Sequence, residues 1–408
     1  MARTRFRTRA DYVTLTVIVV ACLAVAGTVW AKSDVRHTIS QVGPASVATP
    51  PAPSTVPSAL RVAWHAPSAA TPVPLAIGPT VVTGDNGNVL GRDPLTGKVR
   101  WRYARNLSLC TVSSAWSMAI AVYRKGSGWC SEVSALNATT GARGPQRNGD
   151  VDDHTRLISD GTYVTATGSL LNETWRSDLV RTTEYGKVPN FNTAGSQPHA
   201  GCVHRSEATS AGAIGVLEQC AGEHGERLTV YQATAKDSSK PDVAFSTVLA
   251  GRAAKLVTMT DERLAVAFPD RLEVRDVHNG KLLTRHPLHL PASDFAGARA
   301  KSLMVVPTTT GSDAVYWYTG SSTISLSSST LSPQWTAKGT LGPGAVFAGR
   351  LLLPVPGGLA VTDEHTGKSA ATIPVDRNGY RGQVEMSTLG PVVLEQRGDT
   401  LVALTSRP

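Results

Sequence analysis

The sequence lacks the short motifs that identify two large classes of enzyme. It contains neither the G-x-S-x-G turn that carries the nucleophile of many hydrolases nor the G-x-x-x-x-G-K-[ST] loop that binds nucleotide phosphates. No acid and base residues are grouped along the chain as a catalytic set either. These absences favour a protein that is not an enzyme, and they leave a site assembled from distant residues as the alternative.

Positive charge is not concentrated in repeated blocks. Lys and Arg outnumber Asp and Glu by 40 to 31, but Arg3, Arg5, Arg7 and Arg9 all lie at the N-terminus. No later block of Lys or Arg has aromatic residues between its members, which argues against nucleic acid as a partner. The remaining mild excess suits a weak attraction to anionic lipid or to a cell-wall polymer.

Long hydrophobic runs are absent except for one. The segment from Val13 to Ala31 has no charged residue, and as a helix it is long enough to cross the hydrocarbon layer of a bilayer, about 30 Å. Because positively charged flanks stay in the cytoplasm, the sequence predicts a basic cytoplasmic tail at 1–12, a transmembrane anchor at 13–31 and an extracytoplasmic remainder. The predicted location is the cytoplasmic membrane, crossed once.

Two other interpretations of this hydrophobic run stay open. It is a cleaved signal peptide if Ala24-Val25-Ala26 is the small-residue site that signal peptidase accepts. It is a lipoprotein signal if Val19-Val20-Ala21-Cys22, which loosely resembles a lipobox, is processed at the cysteine. All three interpretations export the rest of the chain.

Cysteine is scarce, with five residues in the chain. Apart from Cys22 in the hydrophobic run, the cysteines form two local pairs. An exported domain lies in an oxidising compartment, where such pairs become disulfides. We therefore predict the bonds Cys110–Cys130 and Cys202–Cys220, each across neighbouring antiparallel strands.

Two groups of residues carry side chains that bind metals. They are His199, Cys202, His204, Cys220 and His224 for Zn²⁺, and Asp150, Asp152, Asp153 and His154 for Ca²⁺. Disulfide formation removes the thiolates that the first group needs, and the spacing of the second group matches no calcium-binding loop. The sequence therefore predicts no metal site.

Residues 32–59 have the composition of a linker. They contain Pro44, Pro50, Pro51, Pro53 and Pro57 among Ser, Thr, Ala and Val, without an amphipathic period. Such a segment predicts an extended tether that holds the following domain on the order of 50 to 80 Å from the membrane. The alternative is an arm that packs on that domain.

From Leu60 onward the sequence repeats a strand, a turn and a second strand. The clearest copy is VLGRDPLTGKVRW at Val89–Trp101, and weaker copies occupy Val133–Gly144, Leu272–Leu283 and Leu359–Ile373. In each turn an Asp or Asn can cap the backbone, and a Gly four residues later supplies a positive φ. These turn residues are Asp93, Asn137, Asp276 and Asp363, followed by Gly97, Gly141, Gly280 and Gly367.

The spacing of the repeats decides the predicted fold. With the degenerate copies included, eight positions recur about every 45 residues, the length of one propeller blade. The first strand, LRVAWH from Leu60, and the last, TLVALT from Thr400, suit the closure of a ring. The prediction is an all-β propeller of four-stranded blades over 60–408, preceded by one transmembrane helix. Eight blades are favoured, with seven as the alternative because the copies near 175 and 231 are irregular.

The D-x-x-T-G-K turn followed by a strand with Trp resembles the PQQ-type repeat of quinoprotein dehydrogenases and of BamB outer-membrane assembly lipoproteins. The resemblance covers Leu60 to Arg407 in rhythm, with four good copies. Quinone-binding members typically have adjacent cysteines, a Trp floor and a Ca²⁺ site of Glu, Asn and Asp. This chain has no adjacent cysteine pair and is shorter than those enzymes, so we expect no cofactor.

The resemblance implies a non-catalytic protein-binding or scaffolding module of the cell envelope. We expect an envelope protein or a cell-wall polymer as the partner, bound by loops on the rigid disc. The widest predicted loops are Gly186–Ala211, near which Tyr185, Phe191 and His199 are candidate contact residues, and Arg285–Ala300. The alternative function is an envelope oxidoreductase, quinone-dependent, or a hydrolase with its site in the central channel.

Overall fold

A computed structural model describes residues 8–126, 128–188, 195–299 and 303–406. Helix α1 (Arg9–Lys32) begins with a capping box, in which Thr8 and Asp11 bond each other's backbone N–H through their side chains. None of its residues is buried, and by length and composition it is apolar enough to cross a membrane. The helix is consistent with a membrane anchor or a signal sequence. A 3₁₀ turn at Asp34–His37 follows it.

Strands dominate the rest of the described chain and form eight antiparallel sheets, the blades. Two strands precede the first blade, β1 (Ile39–Gln41) and β2 (Leu60–Pro67). Blade 1 comprises β3 (Leu75–Ile77), β4 (Thr80–Asp85), β5 (Asn88–Arg92) and β6 (Val99–Ala104), and blade 2 comprises β7 (Leu109–Ala115), β8 (Met118–Lys125), β9 (Trp129–Asn137) and β10 (Arg143–Asn148). Blade 3 comprises β11 (Leu157–Ser159), β12 (Val164–Ala166), β13 (Leu171–Trp175) and β14 (Arg181–Gly186), and blade 4 comprises β15 (Val203–Ser210), β16 (Ala213–Gln219), β17 (Arg227–Gln232) and β18 (Val243–Val248).

Blades 5 to 8 continue the pattern. Blade 5 comprises β19 (Lys255–Met259), β20 (Arg263–Ala267), β21 (Arg271–Asp276) and β22 (Leu282–Pro287), and blade 6 comprises β23 (Thr308–Thr310), β24 (Ala314–Tyr318), β25 (Ser322–Ser327) and β26 (Pro333–Lys338). Blade 7 comprises β27 (Ala345–Phe347), β28 (Arg350–Val355), β29 (Gly358–Thr362) and β30 (Ser369–Pro374). Blade 8 comprises β31 (Val384–Leu389), β32 (Val392–Arg397) and β33 (Thr400–Ser406), and β2 completes it. The predicted all-β propeller of four-stranded blades is confirmed, with eight blades rather than seven.

Burial differs between the middle strands and the outer strand of a blade. All five residues of β24, Ala-Val-Tyr-Trp-Tyr, are buried, because both faces of a middle strand pack on neighbouring blades. The outer strand β26 alternates half-buried and exposed residues, since the rim of the disc meets water. The core is therefore a ring of joints between blades, not a single central cluster.

The first and last strands of the domain close this ring. Strand β2 pairs antiparallel with β33, from Leu60 opposite Ser406 to Pro67 opposite Thr400. The innermost strand of blade 1, β3, contacts β31 of blade 8. Closure leaves no blade without a neighbour, as the sequence of the two ends predicts.

The prediction of an extended tether is wrong for residues 39–58, which pack on the disc as an arm. Strand β1 adds a fifth strand to blade 1, with Ile39 opposite Ala104. The Gly43 N–H then donates to the Thr140 carbonyl at 2.9 Å, and Val56 packs on the core of blades 7 and 8. The unpaired edge of β6 supplies backbone partners, and the prolines already restrict the arm, so ordering it costs less entropy than its composition suggests.

The two flat faces of the disc differ in the connections they carry. We call one the turn face, where the first and second strands, and the third and fourth strands, of each blade are joined. We call the other the entry face, where the second and third strands are joined and where the chain enters each new blade. In blade 1, for example, Asp93–Lys98 lie on the turn face, whereas Asn86 and Gly87 lie on the entry face.

The four repeated turns all lie on the turn face. One side-chain oxygen of each capping residue accepts two backbone N–H groups at 2.8 to 3.2 Å, and each Gly has φ between +67° and +72°. The capping residues are Asp93, Asn137, Asp276 and Asp363, and the glycines are Gly97, Gly141, Gly280 and Gly367.

Each of these glycines lies against an aromatic ring from the outer strand of the preceding blade. A Cβ on Gly141 would lie 2.6 Å from the ring of Trp101, whose indole N–H donates to the Ala138 carbonyl at 2.9 Å. The same arrangement recurs between the other blades that carry the turn. The pairs are Trp64 on Gly97, Phe245 on Gly280 and Trp335 on Gly367. The glycine therefore permits both the turn and the joint to the neighbouring blade.

Candidate partner-binding surface

The entry face carries the long connections of the disc. The chain enters blade 4 through residues 187–202 and blade 6 through residues 288–307, parts of which lie outside the described residues. The second of these segments crosses the inner ends of other blades. The Met304 N–H donates to the Arg205 carbonyl at 2.9 Å, and the Lys255 ammonium donates to the Asp294 carbonyl. The turn face, by contrast, carries tight turns and the arm.

Both predicted disulfides are confirmed, and both lie at the entry face. Cys202 and Cys220 flank the neighbouring strands β15 and β16, with a Cα–Cα distance of 4.3 Å. Cys110 lies on β7 and Cys130 on β9, and both strands pair with β8. The prediction that this bond joins neighbouring strands is therefore wrong. Each of these two cysteines lies at a shift in strand register, and the Cα–Cα distance is 6.1 Å.

The predicted contact residues near the loop 186–211 do not form one surface. Tyr185 is fully buried, with its hydroxyl donating to Glu218 at 2.7 Å, so the prediction that it contacts a partner is wrong. Phe191 lies outside the described residues. His199 is half-buried beside the Cys202–Cys220 bond, and its Nε2 lies 3.2 Å from the Ser246 hydroxyl. Much of the predicted loop is strand β15.

The structure brings three of the residues considered for a zinc site together, but two of them form a disulfide. A ring nitrogen of His199 lies within 4.8 Å of both sulfurs of Cys202 and Cys220, but those sulfurs are bonded to each other. His204 is buried, with Nδ1 2.8 Å from the Gly168 carbonyl, in the interior of the disc. Among the candidate calcium ligands, the Asp152 carboxylate accepts the Ser169 N–H at 2.8 Å.

Sequence reasoning missed a buried polar cluster between blades 3 and 4. Its members are Asn172, Tyr185, His204, Glu207, Glu218 and Tyr231, each at most 1% exposed. The rings of Tyr185 and Tyr231 stack with centroids 4.5 Å apart, and the Asn172 amide donates to the Tyr231 hydroxyl at 3.2 Å. In the sequence, VHRSEATS of β15 is polar apart from Val203 and Ala208, so nothing in it indicated that His204 and Glu207 are buried.

Two acidic groups in this cluster, Glu207 and Glu218, have carboxylate oxygens without a hydrogen-bond partner. Glu207 lies 3.3 Å from His204 Nδ1, but that nitrogen bonds the Gly168 carbonyl. Burial raises the pKa of Glu207, whereas the charge of His204 opposes that rise. The cluster is sealed from solvent, so it can hold a proton but offers no surface to a ligand.

The innermost strands of the blades carry few carboxylates. The eight innermost strands, β3, β7, β11, β15, β19, β23, β27 and β31, contain no Trp, and their carboxylates are those of Glu207 and Glu385. Glu385 lies at the start of β31, where burial raises its pKa to about 7 against the opposing effects of Gln383 and Arg156. Glu385 therefore lies near a guanidinium, and it is the one carboxylate on strand β31.

A pocket of about 500 Å³ lies on the entry face at blades 7 and 8. Its apolar lining includes Leu341, Pro356, Pro374, Val375 and Tyr380, and its charged lining residues are Asp376, Arg377 and Arg381. Arg377 is buried and pairs with Glu395 at 2.7 Å, which fixes it within the wall. Asp376 and Arg381 are exposed, so an apolar group next to a charged group that pairs with one of them would fit this pocket.

Comparisons with known proteins give a match in fold. No family model and no curated protein matches the chain. Among solved structures, BamB from Moraxella catarrhalis is similar with a TM-score of 0.53 and 15% sequence identity, over 85% of this chain and 99% of that chain. At this identity the likeness shows the fold alone, which confirms the expectation from the D-x-x-T-G-K turns. The chain therefore has a BamB-like β-propeller fold with an apolar helix ahead of it.

Proposed function

We propose that the protein is a non-catalytic, membrane-tethered scaffold of the cell envelope that binds a protein partner through its entry face. The observation that carries the proposal is the asymmetry of the disc. The long connections, both disulfides and the apolar pocket lie on the entry face, whereas the turn face carries tight turns and the packed arm. Loops held on a rigid scaffold are a common location for binding residues.

The proposed topology places the disc outside the cytoplasmic membrane. Residues 1–12 remain in the cytoplasm, α1 crosses the bilayer once, and residues 60–408 fold on the far side. The two disulfides support an oxidising compartment, and the exposed apolar surface of α1 supports a lipid environment. The arm replaces the predicted linker between helix and disc.

The pocket suits a protein better than a polysaccharide. Its lining of Leu, Pro, Val and Tyr excludes water from an apolar side chain, and the exposed Arg381 can pair with an acidic neighbour of that side chain. A sugar polymer offers mainly hydroxyl groups, whereas most of this lining is apolar and its exposed charged side chains are those of Asp376 and Arg381. We therefore propose an envelope protein with an apolar and acidic contact segment.

Crosslinked affinity capture from membranes tests this proposal. Tagged full-length protein should recover one stable envelope complex, identified by mass spectrometry, and Arg381→Glu should reduce its recovery at least fivefold. Lys98→Glu makes the same charge change at an exposed position of the turn face and should leave recovery unchanged. Equal recovery with both variants, or no specific complex with the wild-type chain, would contradict the proposed binding surface.

A further inference from the structure

The chain between the apolar helix and the disc is short. Strand β1 begins at Ile39, so residues 33–38 alone connect the end of α1 to the first strand that is paired with the disc. Even fully extended, this connection spans at most about 25 Å. The 3₁₀ turn at Asp34–His37 shortens it further, because such a turn rises only about 2 Å per residue.

This connection reaches the disc at the entry face of blade 1. Ile39 pairs with Ala104, the last residue of β6. The next residue, Arg105, donates its N–H to the Gly87 carbonyl at 3.0 Å, and Gly87 lies in an entry-face turn. The chain therefore leaves the end of α1 and meets the disc on the face where the blades are entered.

The end of α1 has the residues of a membrane–water interface. Trp30 is 64% exposed, and the Arg36 guanidinium lies 4.9 Å from the centre of its ring. Lys32 is the last residue of the helix. Trp, Lys and Arg are typical of the boundary between hydrocarbon and water, so a bilayer around α1 ends near Trp30.

The neighbouring blade 2 presents a long hairpin at the same face. Strand β8 has 8 residues, whereas the corresponding β4 of blade 1 has 6, which extends the hairpin by about 7 Å. Trp129 lies near its tip and is 53% exposed, unlike Trp101 and Trp175, which are buried. The Cys110–Cys130 disulfide holds the strand directly beside Trp129.

Electrostatic attraction does not explain why this hairpin would contact another surface. Lys125 pairs with Glu132 at 3.1 Å, and Arg124 lies 3.8 Å from Asp153, so the cations near the tip have carboxylate partners. The exposed indole remains as the group that gains most from leaving water. An indole gains in the headgroup layer because its apolar body is buried while its N–H keeps a polar partner.

We infer that the β8–β9 hairpin contacts the lipid headgroup layer through Trp129, so that the entry face of blades 1 and 2 faces the membrane. The inference rests on the proposed anchoring by α1 and adds a defined orientation of the disc. A partner on the entry face is then itself at the membrane surface.

Photo-crosslinking to lipid tests this orientation in the full chain, reconstituted in nanodiscs of phosphatidylethanolamine and phosphatidylglycerol. Three single variants place p-benzoylphenylalanine at exposed positions, Trp129→p-benzoylphenylalanine at the hairpin, Leu95→p-benzoylphenylalanine on the turn face of blade 1 and Leu23→p-benzoylphenylalanine in α1. Intact-protein mass spectrometry then measures lipid adducts after illumination.

We expect strong lipid adducts at position 23 and at least fivefold more adduct at position 129 than at position 95. Adducts at position 23 with equal yields at 129 and 95, or with only protein adducts at 129, would overturn the orientation while leaving the anchor intact. Absence of lipid adducts at position 23 would instead overturn the anchoring, and the orientation would fall with it.

Discussion

The joint between blades 1 and 2 and the joint between blades 3 and 4 solve the same packing problem with different chemistry. At the first, the Trp101 ring covers Gly141 and lies among apolar side chains such as Val112 and Leu136. Between blades 3 and 4, buried carboxylates, phenols and an imidazole fill the equivalent space. The difference teaches that the first joint is visible in sequence through its turn motif, whereas the polar joint is formed without that motif.

The largest expected effect comes from removing the ring at the apolar joint. Trp101→Ala should lower the free energy of unfolding by about 3 to 5 kcal/mol, because it leaves a cavity against Gly141. Denaturant unfolding of the full chain in detergent measures this. Trp129→Ala, at an exposed position, is the control and should cost under about 1 kcal/mol. Similar losses in the two variants would contradict the role of the ring.

Two glycines separate the loss of stability caused by backbone strain from the loss caused by disturbed packing between blades. Gly141 has φ +72° with the Trp101 ring 2.6 Å from an added Cβ, whereas Gly126 has φ +71° with nothing within 4 Å. Gly126→Ala should cost about 1 kcal/mol from backbone strain, and Gly141→Ala about 3 kcal/mol because the ring must also move. Equal losses in denaturant unfolding would show that the turn alone matters.

These contrasts also mark what sequence can predict. Asp93 and Gly97 are recognisable because a capped turn with positive φ permits few residue types, and four copies gave the blade length and the fold. Tyr185 and Glu207 were not recognisable as buried, because their burial depends on the neighbouring blade. The arm was predicted only as the alternative to a tether for a similar reason: Ile39 gains its hydrogen bonds from β6, which is distant in sequence.

At the polar joint, the smaller expected effect depends on keeping hydrogen-bond acceptors. The Glu218 carboxylate accepts both the Tyr185 and the Thr229 hydroxyls at 2.7 Å. Glu218→Leu should cost about 2 kcal/mol because it leaves two buried hydroxyls without that acceptor. Glu218→Gln keeps an acceptor oxygen and should cost less than half as much. If denaturant unfolding ranks the two variants in the opposite order, the joint depends on packing and not on hydrogen bonding.

The smallest expected effect is a pH dependence that differs in sign between blades. Burial raises the pKa of Glu184 in blade 3 to about 7 from 4.5, against the charge of Arg181. Burial also acts on Glu273 in blade 5, but hydrogen bonds and charges from Arg271 and Arg275 outweigh it and lower that pKa. The folded state therefore binds a proton more tightly than the unfolded state at Glu184, and less tightly at Glu273.

The signs follow from this linkage. The stability that Glu184 contributes is fully present below pH 4.5 and is lost as the pH rises through about 7, so Glu184→Gln should flatten the decline of Tm across that interval. Glu273 contributes stability above pH 4.5 that is lost as the pH falls through its lowered pKa. Glu273→Gln should therefore lower Tm most at neutral pH, with the gap to the wild-type chain closing in acid. Parallel Tm curves for all three proteins would show that these two blades do not differ in proton binding.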